Sequence, residues 1–563
     1  MRPVKAAFAR NPFGWALPLT LAVFIGPIFL GLFGTLLPAF GLQPALGSFE
    51  LSFDPWHDFF NDPALTKSLR LTLTVGFGAT LIAVIIGFCS VAILFGTRAF
   101  GIVRSLLAPA LAFPHASFAV GLAFLIAPSG WIARLISPWA TGWDQPPDLL
   151  IVRDPDAIAL MLSLALKESL FLVLMIVGAL GQINAGSLLR SARSMGYAPA
   201  RAWLIVIAPQ VYAQVRLPIY AMLASALSIV DMAIVLGPAA PPPLAPMTLD
   251  WFRELDSGRQ LMASVAAIFQ LLLVIGAVLL WRFGEMVVNL AVRGPLTNGI
   301  RRGWAERIAG GVGRIGISLA LVASVGAILM LLIWSFAGTW SWPGALPQRW
   351  SAAMWVRSGD TLVLLVWRTA IIAIAASAIA TALAIFCLEA GIGQPKSRWL
   401  VILYVPLLVP QISFLFGVQL LWNRLWLDGT MVAVTLTHLL FVLPYVFLVL
   451  SDPYRALDPR IAIAARSLGA SRLRTLVRIK IPLLARPIAT AMAIGFAVSV
   501  GQYLPTLFAG AGQIDTLTTE AVALASGADR RLAGVIAFTL TALPFMALAL
   551  VSLAPNRLGR ANQ

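Results

Sequence analysis

"ARSLGASRLRTLVRIKIPLL" (residues 465–484) interrupts a chain that is otherwise largely apolar. Arg466, Arg472, Arg474, Arg478 and Lys480 lie in it, without an acidic residue, between two long hydrophobic runs. Residues 192–211, "ARSMGYAPARAWLIVIAPQV", echo it at an offset of 273. Of the five charges Arg466 and Arg474 have counterparts, Arg193 and Arg201, and the other three have none, whereas Gly469 matches Gly196 and Pro482 matches Pro209. The repeated feature is therefore a turn at fixed spacing, and the charge varies around it. Gly can take the positive φ that ends a short helix and lets a second leave in a new direction. Pro then marks the passage into the next apolar run. Each insert is predicted to be a helix–turn–helix standing out of a membrane.

The chain around the inserts requires that membrane. Of 563 residues 60% are hydrophobic and 11% charged, far from the balance of soluble domains. Crossing a bilayer core takes about 20 mostly apolar residues. Twelve runs qualify, roughly 17–40, 68–94, 105–128, 157–180, 212–237, 261–281, 313–337, 360–387, 399–424, 431–451, 485–510 and 531–553. They are too long for barrel strands and lack a sustained period of two, so the expected class is all-α and polytopic. The run at 17–40 is read as a span and not as a cleaved signal, because 313–337 plays the same part mid-chain.

Charge orients the spans. If the N-terminus is internal, the inner connections and termini, with their flanks, hold 27 of the 40 Lys and Arg but 5 of the 23 Asp and Glu. The positive-inside bias thus places both termini and both inserts in the cytoplasm. The net charge of +17 reads as topology and lipid contact. Nucleic acid is not an expected partner, since the basic residues are spread over seven segments without a binding motif.

The halves repeat. "FPHASFAVG" (113–121) matches "VPQISFLFG" (409–417), Arg70 matches Arg368, Cys89 matches Cys387, and "LPIYAMLASAL" (217–227) parallels "RPIATAMAIGF" (486–496). Six spans per half is an even number, so the repeats are parallel and related by an axis near the membrane normal. The expected division is a first half over 1–290, a linker over 291–312 and a second half over 313–563. The inserts occupy about 186–210 and 459–483. Cys89 and Cys387 both fall within predicted helices, where a disulfide framework is not expected.

In the second insert Ala464-Ala465 is followed by three residues, Gly469, nine residues and Ile479-Lys480-Ile481-Pro482. In the first, Ala192, three residues, Gly196, nine residues and Val206-Ile207-Ala208-Pro209 keep that spacing. This resembles the EAA loop of ABC-importer permeases: Glu-Ala-Ala, three residues, Gly, nine residues, Ile-x-Leu-Pro. More widely the chain looks like the fused permeases of the ferric-iron, thiamine and polyamine importers, binding-protein-dependent inner membrane components. Both copies depart from the pattern, with Arg190 and Ile463 at the Glu position and Ser191 at the first Ala. The resemblance implies a type I importer permease fold. It also implies docking of a cytoplasmic ATPase dimer on Arg190, Ser191, Ala192, Arg193 and Gly196, and on Ile463, Ala464, Ala465, Arg466 and Gly469. The loops end at Pro209 and Pro482. A periplasmic substrate-binding protein is the implied outer partner, and the bacterial inner membrane the implied location.

No Gly-Lys dipeptide occurs, so no Walker A loop can be drawn. ATP and Mg are expected on a partner chain, with no cofactor, metal or catalytic residue here. His57, His115 and His438 lack ligand-spaced partners. Asp154-Pro155-Asp156 is read as solvated loop. An ion- or proton-coupled secondary transporter shares the twelve spans and repeated halves but leaves the paired loops unexplained. A membrane-embedded enzyme lacks a catalytic constellation. Ionisable and amide groups inside helices are costly, and so become pathway candidates. Asp231 and Gln502 fall at nearly equivalent places in the two fifth spans, and His115 and Gln411 follow matched prolines. Lys167 and Glu168 are neighbours, so they cannot face each other on a helix and need separate partners.

Overall fold

A computed structural model describes residues 13, 15–43, 49–297, 304–391, 405–527 and 529–553. Within them the first half contributes α1 (Ala16–Ala39), α2 (Leu65–Leu94), α3 (Arg98–Ala112), α4 (His115–Ile126) and α5 (Ile158–Leu180). The first insert opens with α6 (Ala185–Ser194), and α7 (Ala208–Leu227), α8 (Asp231–Leu236), α9 (Leu244–Arg253) and α10 (Ser257–Thr297) follow. The second half begins with α11 (Trp304–Phe336), α12 (Gly359–Glu389), α13 (Ile412–Arg424) and α14 (Met431–Arg455). Its insert opens with α15 (Pro459–Ser467), before α16 (Ala485–Val500), α17 (Leu504–Gly510), α18 (Leu517–Ala525) and α19 (Arg530–Leu553).

Among the described residues ten helices are long and apolar enough to span a membrane, and eleven if residues 472–500, bent by 78°, are counted as one span. The expected span at 399–424 lies partly outside the described residues; from 405 onward it is a short 3-10 turn (Val405–Leu407) followed by α13. The expected span at 105–128 is two helices, because Pro114 breaks the run between α3 and α4. Most of the expected linker, 291–312, is described as the facing ends of α10 and α11, with 298–303 outside the described residues. Hydroxyls within the spans satisfy themselves locally where water is absent. Thr35, Thr72, Thr80 and Ser90 donate to carbonyls four residues upstream, at 2.6–3.0 Å.

The first span of each half packs mainly on the other half while keeping one contact with the last span of its own. Helix α1 packs on α13, α12 and α10, while α11 packs on α4, α2, α5 and α19. Lipid tails offer helices no hydrophobic drive to associate, so close backbone approach at small residues must supply contact. A Cβ on Gly417 would stand 1.9 Å from the Gly31 carbonyl oxygen. One on Gly121 would stand 2.6 Å from that of Ala327. Gly31 corresponds to Ala327, and Gly121 to Gly417, at one offset of 296, so a single crossing is built twice.

Polar contacts repeat likewise. Ser117 Oγ donates to the Ala537 carbonyl at 3.0 Å, and its counterpart Ser413 donates to Ala267 at 2.7 Å. Thr72 Oγ1 accepts from the Leu244 N–H at 2.8 Å, as Thr369 does from Leu517 at 3.0 Å. The threonine pair sets a register of 297 in the second spans and the leucine pair one of 273 in the late ones, while Ser117 and Ser413 keep the 296 of the glycine crossing. Ser90 donates to Gly313 O at 2.9 Å, and Cys387 lies 3.9 Å from Ala16 O in the equivalent place. The structural counterpart of Cys387 is thus Ser90, one residue from the Cys89 match expected by sequence. The match of 217–227 with 486–496 runs at 269, four residues off the register. That is about one helical turn and keeps the same face.

Candidate functional site: paired inserts and a buried polar cluster

Both inserts close their first helix with the same hydrogen-bonded turn. Gly196 has φ +88° and Gly469 +84°. The Gly196 N–H donates to Arg193 O at 2.9 Å and the Tyr197 N–H to Ala192 O at 3.2 Å. In the second copy Gly469 donates to Arg466 O at 3.0 Å and Ala470 to Ala465 O at 3.1 Å. This is the Schellman arrangement, in which a left-handed residue satisfies the helix's last carbonyls. The alanines four residues before each glycine are the buried floor, Ala192 at 2% exposure and Ala465 at 8%. Arg190, Ser191, Arg193 and Gly196 are exposed, as are Ile463, Ala464, Arg466 and Gly469. Immediately before each glycine an apolar side chain faces outward, Met195 and Leu468.

The prolines mark the passage from insert to span as helix starts. Pro209 and Pro482 lie in the first turn of α-helical segments, each preceded by one π-helical turn, Trp203–Ile207 or Leu476–Lys480. Proline has no N–H to give the carbonyl four residues upstream. The ladder shifts there to five-residue spacing, with Ala208 N–H on Trp203 O and Ile481 N–H on Leu476 O. The second copy then bends by 78° into α16.

The pathway candidates separate into a cluster and two outliers. Lys167 donates to the Phe113 carbonyl beside the Pro114 break, with the Phe113 and Phe118 rings 5.7 and 5.4 Å away. Glu168 turns elsewhere and meets His115 Nε2 at 3.3 Å. The separate partners expected for these neighbours are therefore found. Asp231, buried at the start of α8, lies within electrostatic reach of His115 and Lys167 and accepts the Met232 N–H at 2.9 Å. Gln411 precedes α13 and Gln502 sits in the break before α17, both partly exposed. In the structural register Gln502 falls two residues before the counterpart of Asp231, which is Leu504.

The break in the second half has its own clamp. His438 bonds Ser499 at 2.8 Å through Nδ1 and Thr506 at 2.9 Å through Nε2, bridging α16 and α17. Sequence reasoning set His438 aside as isolated. Its partners lie 61 and 68 residues away and become neighbours only when α14 packs on α16 and α17.

Two further polar clusters, one buried and one part-buried, also escaped sequence reading. Glu285 on α10 receives Tyr212 Oη at 2.7 Å, Tyr220 Oη at 3.1 Å and Arg282 Nη1 at 2.6 Å, with Arg216 Nε at 3.2 Å. Glu389, the last residue of α12, receives Tyr454 Oη and Lys480 Nζ. The available signal was an acidic residue in segments that are otherwise basic. Among the described residues no three His, Cys, Asp or Glu side chains group as a metal site would need.

Comparison with known proteins agrees with this arrangement. Residues 390–554 match the family described as binding-protein-dependent transport system inner membrane component. The chain is 29% identical over 517 residues to the inner membrane ABC transporter permease protein YnjC of Escherichia coli strain K12, covering 91% of this chain and 93% of that one. It is 29% identical over 126 residues to a spermidine/putrescine transport system permease protein PotC homolog of Mycoplasma genitalium, covering 22% of this chain and 44% of that protein. Residues 390–554 thus carry the match to binding-protein-dependent inner membrane components, and along most of its length the chain is similar to a permease of an ATP-binding-cassette transporter.

Proposed function

We propose that the substrate path runs between the two halves, 1–290 and 313–563, and that the inserts couple it to an ATPase dimer. That partner would bind ATP and Mg; this chain would bind neither. The dimer would grip α6 near Arg190–Gly196 and α15 near Ile463–Gly469, on the cytoplasmic side where both termini also lie. A periplasmic binding protein would deliver substrate from the other side. Closure of the dimer draws the inserts together and opens the path outward; hydrolysis and separation reverse it. Such coupling needs contacts that differ between the two states.

His115, Lys167, Glu168 and Asp231 would line the path from the first half, with Gln411 and Gln502 opposite. The observation carrying the reading is the pair of glycine turns, alike in φ, hydrogen bonding and following π turn. A secondary transporter leaves that pairing without a purpose, and the relatives are ABC permeases. The test is the double variant Gly196→Val with Gly469→Val, because a β-branched residue is strained at positive φ. Membrane insertion should persist while stimulated ATP hydrolysis and uptake are lost. Normal coupled transport by that variant would overturn the reading.

A further inference from the structure

Each insert runs into a carboxylate, buried at Glu285 and part-buried at Glu389, and the two sit on different helices. In the first half, Tyr212, Arg216 and Tyr220 form one stripe of α7 and converge on Glu285 of α10, whose side chain is 5% exposed. Trp281 Nε1 donates to Tyr212 Oη at 3.1 Å and completes the shell. In the late-span register the counterparts of the stripe are Ala485, Ala489 and Ala493. In the second half, Lys480 of the π turn reaches Glu389 at the end of α12, and its ammonium also bonds Tyr454 Oη at 3.0 Å. The counterparts of Glu389, Tyr454 and Lys480 are Ala92, Gly181 and Ile207. Neither half contains the other's clasp.

We infer that Glu285 and Glu389 are positioning residues that hand the movement of the two inserts to different helices. The first insert is tied to α10, the last span of its half, and the second to α12 and α14. This rests on the coupling role proposed for the inserts. A carboxylate held by several charged and phenolic donors is a short, directional link, costly to break because a charge is left buried without a partner. It therefore transmits displacement where apolar contacts could slide. A pull on the first insert moves the helix that leads into the second half. A pull on the second insert moves α12 and α14, which pack on each other and on α16.

The test compares Glu285→Gln, Glu389→Gln and the double variant Glu389→Met with Lys480→Met, which removes both charges and leaves none orphaned. Hydrogen exchange on the full chain in lipid nanodiscs needs no partner. Glu389→Gln and the double variant should raise exchange over 472–483 and spare 199–207, and Glu285→Gln should do the reverse. In vesicles carrying the complete importer, uptake per ATP hydrolysed should fall about tenfold in each, the scale of a lost coupling contact. An unchanged uptake-to-ATP ratio, or equal loosening of both inserts by each variant, overturns the inference. Wild-type vesicles that hydrolyse ATP without uptake would instead overturn the importer reading, and the transmission role with it.

Discussion

The two broken spans share a backbone and differ in chemistry. In the second half His438, Ser499 and Thr506 tie α14 to both sides of the break. Their counterparts in the first half are Ala165, Ala226 and Ala233, which carry no polar group. The first half instead holds Lys167, Glu168, His115 and Asp231 around its break, where the second has Leu440, Phe441, Gln411 and Leu504. Twofold repetition thus fixes helix paths and crossings, while each half spends its polar residues on a different task. One break is clamped by neutral hydrogen bonds; the other is surrounded by ionisable groups. In a membrane both arrangements are costly unless the groups find partners, and the described contacts supply them.

The largest effect should come from the shared crossing. Gly417→Leu forces a side chain against the Gly31 backbone, where even a Cβ would be 1.9 Å from the carbonyl oxygen. Overpacking costs about 1–3 kcal/mol and more where backbone must move, so this variant should lose its monodisperse peak after detergent extraction. Gly121→Leu should be less severe, since its Cβ contact is 2.6 Å. Equal behaviour of the two would break the claim that the halves differ in tightness.

Next in size is Lys167→Met, which removes the donor to the Phe113 carbonyl. An orphaned buried acceptor costs about 1–3 kcal/mol, and thermal unfolding in lipid should show the loss. His438→Ala should cost about 1 kcal/mol, the scale of a hydrogen bond between membrane helices. Thr506 keeps its bond to Gln502 O at 2.9 Å, which limits the damage. Its exchange signature should be confined to 501–510, leaving 228–236 unchanged. The smallest effect is expected for Arg474→Ala, an exposed residue just past the second turn. Its stability should shift by no more than about 0.5 kcal/mol, in contrast to a substitution at Gly469 five residues earlier. A large effect at Arg474 would return weight to charge over turn geometry.

Much of this was legible without coordinates. The Gly turns, the paired inserts and the need of Lys167 and Glu168 for separate partners all follow from local rules of backbone and helix geometry. The repeat was legible too, but its register was not everywhere. Cys89 and Cys387 matched as letters, yet Ser90 occupies the place of Cys387 because insertions between the halves shift the count by a residue. The second-insert charges were read mainly as topology. Lys480 departs from that reading, because Glu389 and Tyr454 enclose its ammonium.

By itself the sequence determined the membrane, the helical class, the doubled plan and the turns, because hydropathy, positive φ and proline chemistry act over a few residues. Tertiary structure alone decided that α1 and α11 pack mainly on the opposite halves, that His438 has two partners, and that Glu285 and Glu389 receive donors from segments at or just after different inserts. Those outcomes depend on which small residues let backbones touch and on polar groups tens to hundreds of residues apart meeting where water is absent. No local rule encodes such distances; only the packed bundle brings them to hydrogen-bond length.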